Sequence, residues 1–218
     1  MLKKTRFIFI ALAVCFMIPM NSTAQDSPRK IKLVSPNMEG GIPLMDALRL
    51  RKSVRDFSAE ELSDQDLSNL LWAAFGINRP DSGKRTAPSA VNWQEIEIFI
   101  AMKSGVYLYQ ASDHSMNLVL SEDIRALTGK QDFVSQAPVN LIFVADYDKI
   151  TRAEESQKMF YSAADTGFIS QNVYLFCASE KLGTVVRGLV DREALSKKMN
   201  LRPNQKIVFA QTVGYIPR

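Results

Sequence analysis

Thr86-Ala87-Pro88-Ser89-Ala90-Val91-Asn92-Trp93-Gln94 runs directly into Glu95-Ile96-Glu97-Ile98-Phe99-Ile100-Ala101. The second stretch alternates and then becomes wholly apolar, which predicts a strand entering a core. The first is a short polar loop at the mouth of that strand. It presents hydroxyl, carboxamide and backbone groups on a rigid support, which suits the polar edge of a flat heterocycle. A turn built from Pro and Asn also stands without a ligand, so the loop's composition is compatible with both uses.

Outward from this point the elements are legible. Upstream, Pro43 starts a short helix through Leu50. Ser63 caps a second helix whose apolar face is Leu67, Leu70, Leu71, Ala74 and Phe75, with Gly76 as its stop. Asn78 to Lys84 reads as a polar loop. Downstream, Val106–Tyr109 and Met116–Val119 read as short strands, and Ser121 as the cap of a short helix to Leu127. Val139–Ala145 is an apolar run suited to a central strand buried on both faces. Thr151 to Leu182 predicts one long helix, apolar nearly all round after Ala163, hence a core or interface element. Gly183–Gly188 is a β-type run, Asp191 caps a last helix, and Lys206–Tyr215 is a final strand. Strands alternating with helices predict an α+β sandwich. There is no dinucleotide fingerprint after a strand and no P-loop.

The N-terminus has a different character. Lys3, Lys4 and Arg6 precede an apolar run from Phe7 to Met20, followed by small residues at Ser22 and Ala24. This is the order of a secretory signal peptide over 1–24, and the run is short for a membrane span. Residues 25–42, with Pro28, Pro36, Gly40 and Gly41, read as a flexible arm. Removing 1–24 lowers the formal net charge from +4 to +1, with 24 basic against 23 acidic side chains. That balance gives no support to nucleic-acid binding. Cys177 is then the single thiol, set in an apolar run, and His114 is the single histidine. A zinc site is excluded, and a Ser-His-Asp triad would have to use that one histidine.

Arg51-Lys52-Ser53-Val54-Arg55 follows the first helix. In an extended segment Arg51, Ser53 and Arg55 share one face, and two guanidinium groups with a hydroxyl suit a phosphate. A solvated basic turn at a helix C-terminus is the plainer alternative.

Taken together, residues 43–218 resemble the FMN-dependent nitroreductase family. Arg51-Lys52-Ser53-Val54-Arg55 is similar to the element that grips the FMN phosphate and ribityl chain there. Pro88-Ser89-Ala90-Val91-Asn92-Trp93-Gln94 is similar to the loop against the isoalloxazine, although Glu95-Ile96 stand where a Pro-Trp pair often follows. Gly183 to Gly188 resembles the segment whose backbone N–H groups approach flavin N5 and O4, which implies Val186, Arg187 and Gly188. Gly214 to Arg218 resembles the C-terminal strand whose basic residue, Arg218 here, returns to the phosphate. The Gly105–Tyr109 insert with His114 resembles the branch containing azoline-oxidising dehydrogenases.

The resemblance implies a three-layer α+β sandwich with a central mixed, mostly antiparallel sheet flanked by helices. It implies a homodimer with FMN at the interface, and hydride transfer through flavin N5 to or from a small organic substrate such as a nitroaromatic or quinone. It calls for no catalytic side chain, no metal, no nucleic acid and no membrane after signal cleavage. Export implies a periplasmic protein. Nicotinamide reductants are cytoplasmic, so export puts NAD(P)H in question as the natural donor. The alternatives are a flavin-binding carrier or sensor without turnover, and a shared fold without FMN.

Overall fold

The computed structural model describes residues 29–217. The expected signal peptide, the first residues of the expected arm and Arg218 lie outside the described residues. The elements in chain order are β1 (Lys30–Lys32), α1 (Leu44–Leu50), α2 (Asp64–Phe75), β2 (Ile77–Arg79), β3 (Lys84–Arg85), β4 (Ile96–Met102), β5 (Gly105–Gln110), β6 (Ser115–Leu120), β7 (Val139–Asp146), α3 (Glu155–Ser179), β8 (Leu182–Arg187), α4 (Arg192–Lys198) and β9 (Gln205–Tyr215).

Seven strands form one sheet in the order β1-β6-β5-β4-β7-β9-β8. Every pairing in it is antiparallel, so the sheet expected to be mixed has no parallel pair among the described residues. β7 is buried at all eight positions, as its largely apolar run predicts, with Asn140 and Asp146 its two polar members. Its two faces feed separate cores. Leu141 and Phe143 face α2 and α3, with Leu70, Leu71, Ile169 and Val173. Ile142 and Val144 face Leu195 and Met199 at the α4 end, with Ile124. The helices therefore lie on both faces of an antiparallel sheet, the expected sandwich.

Local chemistry explains where the elements begin and end. Ser63 Oγ accepts the Asp66 N–H at 3.0 Å, and Gly76 closes α2. α3 starts at Glu155 rather than Thr151, because Arg152 has φ 68° and Glu154 forms a capping box with Gln157. The helix expected from Ser121 is a 3-10 turn at Arg125–Thr128 instead. Asp123 accepts the Arg125 N–H and pairs with its guanidinium, fixing a turn in place of a helix. The polar loop 78–84 closes as the small β2–β3 hairpin, with Gly83 at φ 61°.

The arm is also corrected. Lys30–Lys32 pairs with β6 and Leu33 is buried. His114 helps to fix this edge. Ser68 Oγ gives its hydrogen to Val34 O at 2.6 Å, so the bond of 2.8 Å with His114 Nε2 runs from the ring to Ser68. Nδ1 then accepts from Tyr109 OH at 3.0 Å. The one histidine is a neutral structural group, and burial lowers its pKa. Cys177 is buried and free, as its apolar setting predicts.

Candidate functional site

α3 carries two separate clusters of the residues singled out by sequence. The first gathers around Tyr174, where the segment after α1 passes along the edge of β8. Val54 N–H donates to Thr184 O at 2.9 Å, which holds residues 51–57 extended against that edge. A Cβ at Gly183 would stand 2.9 Å from Val54 Cγ1, so glycine permits this close approach. Tyr174 OH then joins Ser53 Oγ at 2.9 Å and accepts the Val186 N–H at 3.0 Å. The Arg51 guanidinium lies over the Tyr174 ring, 5.2 Å from its centroid.

Beside this hub is a cavity of about 430 Å³. Its charged lining is wholly basic: Arg49, Arg51, Lys52 and Lys181. Arg49 pairs with Asp46, but among the described residues Arg51, Lys52 and Lys181 form no ion pair. Cations grouped without carboxylates fit a phosphate, so the donor set suits the phosphate end of a flavin nucleotide. Arg55 is exposed and stands outside the cavity lining. Ile216 lines it, which brings the C-terminal segment preceding Arg218 to the same place. Lys181, at φ 60° in the turn between α3 and β8, and Tyr174 were missed by sequence reasoning. The one available signal for Lys181 was a cation following a long helix.

The β8 end differs in part from expectation. Val186 N–H is taken by Tyr174. Strand alternation turns the Arg187 N–H toward β9 and the Gly188 N–H outward. The Arg187 side chain is only 5% exposed and points away from α3. It donates to Thr128 O at 2.7 Å and Asn140 Oδ1 at 2.9 Å, and burial pushes its pKa down to about 10. Its guanidinium is therefore a member of the opposite core.

The second cluster is the loop 88–94, near the start of α3. Val91, Asn92 and Gln94 have φ of 52°, 59° and 50°. For β-branched Val91 this is a true outlier, and such residues cost about 1–3 kcal/mol each and concentrate at binding sites. The loop is held by its own groups. Ser89 Oγ accepts the Gln94 N–H at 3.0 Å. Gln94 Nε2 donates to Gly83 O and Asn92 Oδ1, and its Oε1 accepts from Arg85 Nε at 2.7 Å. Ala90 N–H donates to Asp165 Oδ2 at 2.8 Å, and Trp93 meets Tyr161 edge-on. The Gln94 carboxamide is thus a brace, while Ser89, Ala90 and Asn92 shape the surface that Pro88 introduces.

The clusters do not meet within one chain. Their anchors, Asp165 and Tyr174, are nine residues apart on α3, which is about 13.5 Å along a helix. The outer face of α3 carries Phe160 and Phe168, 70% and 49% exposed. α1, which packs on α3, leaves Leu44, Met45 and Leu48 exposed and buries only Ala47. The buried face of α3 combines Ser162, Asp165, Thr166 and Ser170 with Ile169, Val173 and Cys177.

Comparison with known proteins gives this geometry its family. The Nitroreductase family profile matches residues 48–215. A provisionally named nitroreductase of Methanocaldococcus jannaschii is 36% identical over 157 residues, 67% of this chain and 79% of that protein. The crystal structure of a provisionally named nitroreductase from Ralstonia eutropha has TM-score 0.84 and 40% identity, covering 88% of this chain and 91% of that one. The fold is also that of the NADPH:FMN oxidoreductase from Vibrio harveyi complexed with NAD+, at TM-score 0.62 and 20% identity, covering 80% and 69%. With these matches the chemistry is that of a flavin-dependent oxidoreductase, and the chain belongs to the nitroreductase family.

Proposed function

We propose that the protein is an exported FMN-dependent oxidoreductase that works as a homodimer on a small organic substrate such as a nitroaromatic or quinone. The observation that carries the FMN assignment is the basic cavity at Tyr174, whose Arg51, Lys52 and Lys181 form no ion pair among the described residues. The fold shared with the Vibrio harveyi NADPH:FMN oxidoreductase supports this flavin over others. When bound, FMN supplies acceptance and return of a hydride at N5.

The chain's own residues then have defined tasks. Arg51, Lys52, Lys181 and Arg218 neutralise the phosphate, and Ser53 supplies a hydroxyl to it. Arg55, exposed beside them, adds long-range positive charge. Gly188 N–H faces the ring edge as a fixed dipole. Pro88, Ser89, Ala90 and Asn92 form a stiff platform for the ring, braced by Gln94.

The separation of platform from phosphate grip supports a site completed by a second copy, with the exposed α1 and α3 side chains packed between the two chains. The signal-like N-terminus supports export and a periplasmic location, which puts a nicotinamide in question as the natural donor. The test is the visible spectrum of the mature protein after incubation with FMN and desalting. The reading expects a retained flavin spectrum that bleaches with a chemical reductant and returns with a quinone. A colourless protein would overturn it, and a bound flavin that never turns over would make the protein a carrier or sensor.

A further inference from the structure

Glu95 occupies an unusual place for a carboxylate. It opens the apolar strand β4, is 0% exposed, and neither carboxyl oxygen stands in hydrogen-bonding geometry with a partner. Its polar neighbours are Asp165 and Ser162 on α3. Asp165 is 2% exposed. The hydroxyls of Ser162 and Thr166, one helical turn apart around Asp165, are also buried without partners. Other charged groups nearby are engaged elsewhere. The Asp146 carboxylate, beside Glu95 through the backbone, faces Arg202 and Lys149. Arg85 donates to Gln94 and to Phe75 O. No cation reaches the two buried carboxyls, and two buried like charges cannot both persist.

The proton has a preferred place. Asp165 accepts the Ala90 N–H at 2.8 Å, which favours its charged form. Burial raises the pKa of both carboxyls, and that of Glu95, 0% exposed with Asp165 beside it, is pushed up to about 7. These groups are also attached to both ends of the strained loop. Asp165 holds Ala90 at its start, and Glu95 follows Gln94 at its end. We propose that Glu95 and Asp165 hold one proton between them and, in that state, position the 89–94 loop as the flavin platform. Loss of the proton puts two charges together beneath the loop and loosens its Ala90 anchor. Glu95 and Asp165 are positioning residues, and the consequence for FMN rests on the function proposed above.

Trp93 lies within the loop against Tyr161 and reports on it without flavin. The only other tryptophan is Trp72, so the test uses a Trp72→Phe background. Trp93 emission is followed between about pH 5.5 and 8.5, the range spanning a carboxyl near neutrality. The pair predicts a spectral transition near pH 7 that Glu95→Gln abolishes and Asp165→Asn moves to lower pH. FMN affinity should weaken by about tenfold across that range in the parent and by less than about twofold in Glu95→Gln. Unchanged Trp93 titration in a folded Glu95→Gln protein would overturn the pair, whatever FMN does. Absence of FMN binding at every pH, with the Trp93 transition intact and sensitive to Glu95→Gln, would overturn the flavin reading and leave the pair standing.

Discussion

Two points on α3, nine residues apart, solve opposite problems. At Tyr174 the protein gathers positive charge around a cavity, and Arg51, Lys52 and Lys181 form no ion pair among the described residues. At Asp165 it buries carboxyls without a cation and holds a loop with three residues at positive φ above them. One is open, cationic and fixed by a tyrosine hydroxyl. The other is closed, acidic and strained. A site for an anionic ligand needs only the first arrangement, and a stiff polar platform only the second. Both anchors sit on one helix, about 13.5 Å apart, and the two-chain flavin site proposed above draws one from each copy.

Four variants sharpen or break this contrast. The largest effect belongs to the cationic cluster. Arg51→Ala with Lys181→Ala removes two charged contacts of about 1.5–3 kcal/mol each, so FMN affinity should fall by about 10²-fold or more. A fluorescence titration checks this, and an unchanged affinity would move the phosphate elsewhere. Next is Tyr174→Phe, which deletes the bonds to Ser53 and the Val186 N–H and should cost about 1–3 kcal/mol in denaturant unfolding.

The acidic cluster should show itself in pH dependence. Between about pH 4.5 and 7 the unfolded Glu95 carboxyl has released its proton while the folded one retains it. The unfolded state binds fewer protons there, so stability falls as pH rises through that window. Thermal melts should drop by a few degrees over it, and Glu95→Gln should flatten the slope. The smallest effect is Val91→Gly, which relieves φ 52° at an exposed position. It should leave stability unchanged or raise it by up to about 1 kcal/mol while weakening FMN binding, because a relaxed loop is a poorer platform.

Much of the scaffold was legible because its signals are local. Val139–Ala145 could be read as a central strand from six apolar residues in seven, and Ser63 and Asp191 as caps from single side chains. β1 escaped because Lys-Ile-Lys is short and charged, the character of a protected sheet edge. The Ser121 helix failed because Asp123 binds the backbone two residues on. At the site, Arg51 and the 88–94 loop stood out by composition, and Lys181 did not. The resemblance implies a backbone N–H role for Arg187, but strand alternation turns that N–H toward β9. The Glu95–Asp165 pair has no local spacing, since its members are 70 positions apart and meet only when α3 packs on β4.

The central claim is that two chains build each flavin site, and mixing two damaged chains tests it directly. One chain carries Arg51→Ala with Lys181→Ala, the other Ser89→Ala with Asn92→Ala. Each alone should lose FMN on desalting. Unfolded together and refolded, about half of the dimers should be mixed, each with one intact site of two, so about one quarter of the wild-type flavin should return. A mixture that stays colourless, while wild-type protein treated identically retains FMN, would contradict the account and place the whole site within one chain.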